Sequence, residues 1–167
     1  MAQVTFKDRP IRTVGSLPAV GTKAPDFKLT KPDLSDVTLA SFAGKKIVLN
    51  IFTSVDTSVC AASVRRFNKE ASTLPNTVVV GVSRDSPFAL GRFTVEEGIS
   101  GVVAASELRD DRFGKAYGVR ILDSSLAGLF ARAVVVIDEE GIVSHSQLVP
   151  EIVNEPDYEA ALKAVMS

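Results

Sequence analysis

The chain has 167 residues, 46% of them hydrophobic, with 19 lysines and arginines against 20 aspartates and glutamates and a formal net charge of −1. That balance excludes a charge-driven surface for nucleic acid or anionic membrane, and the length fits one domain able to bury a sizeable core. One cysteine and one histidine exclude an internal disulfide framework and a four-ligand Cys/His zinc site, and neither a metal nor an organic cofactor is implied.

Val4 to Phe6 and Ile11 to Val14 flank Asp8-Arg9-Pro10 and predict a small N-terminal hairpin, followed by a Gly/Pro-punctuated connector from Gly15 to Pro25. Met1 to Val20 carries Lys7, Arg9 and Arg12 and lacks the continuous apolar segment of a signal peptide, so a cytoplasmic protein is expected. Phe27 to Leu29 and Val37 to Leu39 alternate as strands, Ser41 caps a short helical turn, and Ile47 to Phe52 reads as a buried central strand. A helix follows from about Ser58, with Val64, Phe67 and Ala71 at helical spacing after Cys60. Thr77 to Val82 is a second buried strand. Pro87 opens a helix over Phe88 to Phe93, Val102 to Ala105 is a short strand, and Asp110 to Tyr117 is a helix. Ala133 to Ile137 and Ile142 to Val149 form a hairpin about Asp138 to Gly141, and Asp157 to Val165 closes the chain as a helix. The richest apolar stretch, Leu126 to Ile137, contains Arg132 and falls well short of the ~20 residues of a spanning helix, so no membrane segment is expected.

This order predicts an α/β sandwich with a mixed sheet flanked by helices, consistent with a thioredoxin-like core. Residues 1–167 read as a single domain in which the hairpin, 1–16, is a decoration. In such sheets ligands gather beyond the carboxyl ends of the strands, where the turn bearing Cys60 must lie.

Cys60 follows the strand-like run by one polar turn, which places its thiol at a helix N-terminus, where unpaired amides and the helix dipole favour a thiolate. The plainer account of a lone intracellular cysteine is a small buried hydrophobe. Thr57, three residues earlier, is either an ordinary N-cap or a hydroxyl that also reaches the sulfur or a substrate oxygen. Arg132 interrupts an apolar run and needs an anionic partner; a thiolate serves, as does a structural carboxylate or an edge position that lets the side chain snorkel. His145 lies in a polar-alternating run and is expected at the surface. No C-x-x-C, phosphate loop or G-x-S-x-G elbow is present.

Asn50-Ile51-Phe52, Ser54-Val55-Asp56-Thr57, Val59 to Arg65 and Ala131 to Asp138 closely resemble the peroxiredoxins, specifically the bacterial thiol peroxidase subfamily. The likeness includes the opening hairpin, Asp33 to Leu39, Tyr117-Gly118-Val119 and Glu155 to Leu162. The resemblance implies a peroxidatic cysteine at Cys60, Thr57 and Arg132 as its activating partners, and a thioredoxin fold that usually forms a homodimer. Two positions depart from the family pattern: Thr53 stands where the motif has proline, and Thr94 where the subfamily carries its resolving cysteine. An intramolecular disulfide therefore cannot form, and reduction must come from an external thiol, either a small molecule or a thioredoxin-like partner. The implied activity is reduction of hydrogen peroxide and organic hydroperoxides through a Cys60 sulfenic acid. Thr53 and Thr94 favour the alternative, a protein of this fold with weak or no turnover acting as a peroxide sensor or a binding or structural partner. A Cys-His hydrolase requires His145 at the sulfur with a third group orienting it.

Overall fold

The computed structural model describes residues 1–167. A two-stranded hairpin, β1 (Gln3–Phe6) and β2 (Arg9–Arg12), precedes a sheet built from β3 (Lys28–Thr30), β4 (Asp36–Thr38), β5 (Lys46–Ile51), β6 (Thr77–Ser83), β7 (Val102–Ser106), β8 (Ala133–Ile137) and β9 (Val143–Leu148). The helices are α1 (Ser58–Ala71), α2 (Pro87–Glu96), α3 (Arg112–Ala116) and α4 (Tyr158–Met166). Strand order across the sheet is β4-β3-β7-β6-β5-β8-β9. β5, β6 and β7 run parallel, and the pairings of β8 with β5, β9 with β8, β3 with β7 and β4 with β3 are antiparallel. This is the mixed α/β sandwich that the order of elements predicts.

The period of two along the strands divides the interior into two layers. Ile47, Leu49 and Ile51 of β5 and Val135 and Ile137 of β8 face Phe27, Phe113, Tyr117 and Phe130. Val48, Val134 and Val136 face Val64 and Phe67 of α1, Leu90 and Phe93 of α2, and Ala161 and Val165 of α4. Because α1 follows the central strand and crosses to a parallel neighbour, its N-terminus must sit at the carboxyl edge of the sheet.

Three boundaries differ from expectation. The hairpin turns at Lys7 and Asp8, both at positive φ (51° and 66°), so Arg9 and Pro10 belong to β2, where an edge strand tolerates proline. Ser41 does not cap the turn at Leu39–Phe42; Thr38 does, and Ser41 returns a hydroxyl acceptor to the Thr38 amide at 2.9 Å. The third helix starts at Arg112 because the Asp110 carboxylate takes the Arg112 amide in a local turn, holding residue 110 outside the helix.

The N-terminal hairpin is more than a decoration. Val4 and Ile11 are buried with Ile121, Ala131 and Ile152, and Thr5 O accepts the Ile152 amide at 2.9 Å. Ala131 precedes Arg132 in sequence and Ile152 O accepts its Nε, so the hairpin braces the segment that carries it. Gly118 fixes the neighbouring strand-like segment: its φ is 69°, and a Cβ there would lie 2.4 Å from Ser16 N and O.

Candidate active site

Cys60 is the third residue of α1, and its side chain is fully buried among Phe52, Val55, Ala61 and Val64. Residues 56–58 just above it are exposed, so the sulfur lies one layer of chain below solvent. The depth has a simple cause. Cys60, Val64, Phe67 and Ala71 share the 3.6-residue stripe of α1, so the face that seats the helix also carries the thiol inward. That periodicity was legible in the sequence. The helix start is uncapped by any side chain, and the first amide with a backbone partner is that of Ala61, bonded to Thr57 O at 3.0 Å. The preceding first-turn amides, those of Ser58, Val59 and Cys60, are therefore left to favour negative charge at this end.

Arg132, the residue before β8, is 1% exposed and reaches the thiol: Nη2 donates to Cys60 Sγ at 3.2 Å. Nε donates to Ile152 O at 2.9 Å, and Nη1 is buried with no partner. No carboxylate forms an ion pair with it. A guanidinium that is buried, with no carboxylate partner and a thiol sulfur at 3.2 Å, fits neither a structural ion pair nor a snorkelling edge position. β5 and β8 are hydrogen-bonded neighbours, with Ile51 opposite Ala133. The segments leaving the carboxyl end of one and entering the amino end of the other therefore deliver sulfur and guanidinium to the same edge.

Thr57 occupies the N-cap position with extended backbone (φ −108°, ψ 144°), but its hydroxyl makes no cap bond and no contact with the sulfur. It donates instead to Ser54 O at 3.1 Å, closing a turn with its own amide, which bonds the same carbonyl at 3.2 Å. The hydroxyl is solvent-exposed above the site. Thr53 is buried and donates to Phe130 O at 2.8 Å, tying the segment before Cys60 to the segment before Arg132. Thr94 lies on α2 and bonds back to Gly91 O at 2.9 Å.

His145 is half-buried rather than exposed, because β9 pairs it with Val136 on the face covered by α4. Its Nε2 is buried without a partner, and burial pushes its basicity below the ordinary imidazole value, with Asp157 acting in the opposite direction. Val136 is four strand positions from Arg132, roughly 13 Å at ~3.3 Å per residue. A Cys-His hydrolase needs hydrogen-bond contact between the two side chains; His145 belongs to the packing of β9 against α4.

Asn50 and Ser63 were not singled out in the sequence. Asn50 Nδ2 donates to Ser63 Oγ at 3.2 Å, and Ser63 Oγ donates to Cys60 O at 2.8 Å, a buried chain from the central strand to the first turn of α1. The available signal was an asparagine inside the apolar run Ile47 to Phe52, since a buried amide requires a partner.

A thioredoxin-like sheet presenting one cysteine at the start of the helix after its central strand, with a buried arginine against the sulfur, defines a thiol-based redox protein class. Residues 19–162 match the Redoxin family model. The chain is 53% identical over 165 residues to the thiol peroxidase of Mycobacterium tuberculosis, covering 99% of each. Among solved structures it is similar to a peroxiredoxin-like protein from Aquifex aeolicus, with a TM-score of 0.94, 36% identity, and 99% and 96% of the two chains covered. It is similar also to a thiol peroxidase from Chromobacterium violaceum, with a TM-score of 0.90, 25% identity and coverage of 98% and 95%. The chain belongs to the redoxin family, within its peroxiredoxins and the thiol peroxidase subfamily.

Proposed function

We propose that the chain is a thiol peroxidase in which Cys60 is the nucleophile and Arg132 its activating donor. The observation that carries this reading is the 3.2 Å contact from Arg132 Nη2 to Cys60 Sγ at an uncapped helix start. The thiolate attacks the distal oxygen of a hydroperoxide in line. The S–O bond forms as the O–O bond breaks, sulfur loses two electrons, and the departing alkoxide or hydroxide takes a proton to leave as alcohol or water. Charge moves from sulfur to the leaving oxygen, so donors aimed at that oxygen stabilise the transition state more than the ground state. Arg132 Nη1, buried and without a partner, is such a donor. The exposed Thr57 hydroxyl becomes a second by rotating from Ser54 O toward an oxygen held above the first turn.

Cys60 sulfenic acid is then reduced from outside, because the chain has no second cysteine. An external thiol displaces water to form a mixed disulfide, and a second thiol releases Cys60 and leaves as disulfide. In this reading residues 1–167 act as one domain in the cytoplasm. Exposed Phe88 and Val95, seven residues apart on α2, support a homodimer.

The test is turnover. Thiol-dependent consumption of hydrogen peroxide and of an organic hydroperoxide is expected from the wild-type chain and is abolished in Cys60→Ser. A wild-type chain that is oxidised once and does not turn over with any thiol supplied would favour the sensor reading instead.

A further inference from the structure

A sulfur without exposed surface cannot be reached by a second thiol, so the reduction step proposed above requires the segment carrying Cys60 to lift away from the sheet. What holds that segment down is visible in the structure. Asp85, in the loop between β6 and α2, accepts the Ser54 hydroxyl on Oδ1 at 2.8 Å and the Val55 amide on Oδ2 at 3.0 Å. These two bonds seize consecutive residues of the short segment between β5 and α1. The carboxylate is itself immobilised on the sheet: Ser83 Oγ donates to Oδ2 at 2.6 Å and accepts the Asp85 amide at 3.2 Å, and Ser106 Oγ donates to the Asp85 carbonyl. Ser83 and Ser106 end adjacent strands and pair directly with each other.

Of the other ties, Thr53 to Phe130 O lies at the base of the segment, below the residues that must lift, and the one farther along is weaker. Asp56 meets Arg92 of α2 at 3.0 Å, but both side chains are about half exposed or more (66% and 49%), and ion pairs so open to water contribute little. Asp85 bonds a neutral hydroxyl and a backbone amide with a charged acceptor, a stronger and less screened arrangement.

We infer that Asp85 is a positioning residue, a latch that holds residues 54–60 in the closed form in which Arg132 meets the sulfur and whose release admits the reductant. The inference rests on the peroxidase reading for its purpose, while the latch can be measured without peroxide. In Asp85→Asn the charge is lost and the atom facing the Ser54 hydroxyl becomes an NH2 that can no longer accept from it, so the charged Ser54 bond is replaced at best by a weaker neutral one of reversed direction. Loss of one charged hydrogen bond shifts a local opening equilibrium by about tenfold. Iodoacetamide alkylation of Cys60, which needs the open form, is expected to accelerate by about that factor, while oxidation by hydrogen peroxide, which uses the still dominant closed form, changes little. Ser54→Ala, which removes one bond, accelerates alkylation by less and likewise leaves oxidation nearly level.

Amide hydrogen exchange gives the readout that a general loss of stability does not reproduce. Faster exchange confined to residues 54–60, with β5 and β6 unchanged, supports the latch. Exchange that rises equally through the strands, or alkylation equal to wild type in both variants, overturns it. If wild-type Cys60 proves inert to peroxide while Asp85→Asn still speeds alkylation, the latch stands and the peroxidase reading falls.

Discussion

Arg132→Met is expected to slow oxidation of Cys60 by hydrogen peroxide by about two to three orders of magnitude, the range seen when one transition-state donor is removed. Folding stability is expected to stay level or rise. The two expectations share a cause. Arg132 is 1% exposed, with one terminal nitrogen unpartnered and no carboxylate in reach, so its charge is held in the interior at a desolvation cost that its contacts only partly offset. Replacing such a buried ion with an apolar side chain of similar volume is often neutral or stabilising. The change does leave Ile152 O without the Arg132 Nε donor at 2.9 Å, which limits the gain. Paired measurements decide it: a thermal melt, and rates of Cys60 reaction with peroxide and with iodoacetamide. Alkylation takes place in the open form, where Arg132 no longer touches the sulfur, so it should hold level or rise while peroxide oxidation falls. A variant that melts far below wild type, or that loses equally against both reagents, would show Arg132 to be a structural group or a simple counter-charge.

Excess peroxide is expected to convert Cys60 quantitatively to sulfinic acid and to end turnover. A sulfenic acid normally escapes further oxidation by condensing with a nearby thiol, and this chain has a single cysteine. The Thr94 hydroxyl cannot substitute; it is bonded to Gly91 O at 2.9 Å and has no redox chemistry. In the closed form Arg132 stays beside the oxidised sulfur and activates a second peroxide as it did the first. Intact mass should therefore show a gain of two oxygens, rising with peroxide and suppressed by reducing thiol. A product that stops at one oxygen under a large excess would mean that the segment opens after the first oxidation and withdraws the sulfur from its donors.

Much of this architecture was readable beforehand because the strongest signals are local. The apolar runs at Ile47, Thr77 and Ala133, Pro87 at a helix start and Gly141 in a turn each dictate their own element. The Cys60-Arg132 pairing was readable as two residues seeking partners, but their meeting depends on β8 lying beside β5, a neighbour relation set by the whole topology. Thr57 shows the limit of local reading. Its backbone is that of an N-cap, yet its hydroxyl prefers the Ser54 carbonyl presented by its own tight turn. Asp85 was invisible for the opposite reason, since its partners Ser54 and Val55 lie 31 and 30 residues away in sequence. Burial of His145 follows from the register of β9 against β8 and from α4 above it, neither of which its polar neighbours reveal.

Quenched-flow oxidation of wild-type Cys60 by hydrogen peroxide, followed by mass at Cys60, tests the central claim most directly. The account predicts a second-order rate at least about a thousandfold above that of a free thiol at the same pH, because donors on the breaking O–O bond add to thiolate formation. A rate no greater than that of free cysteine would contradict it.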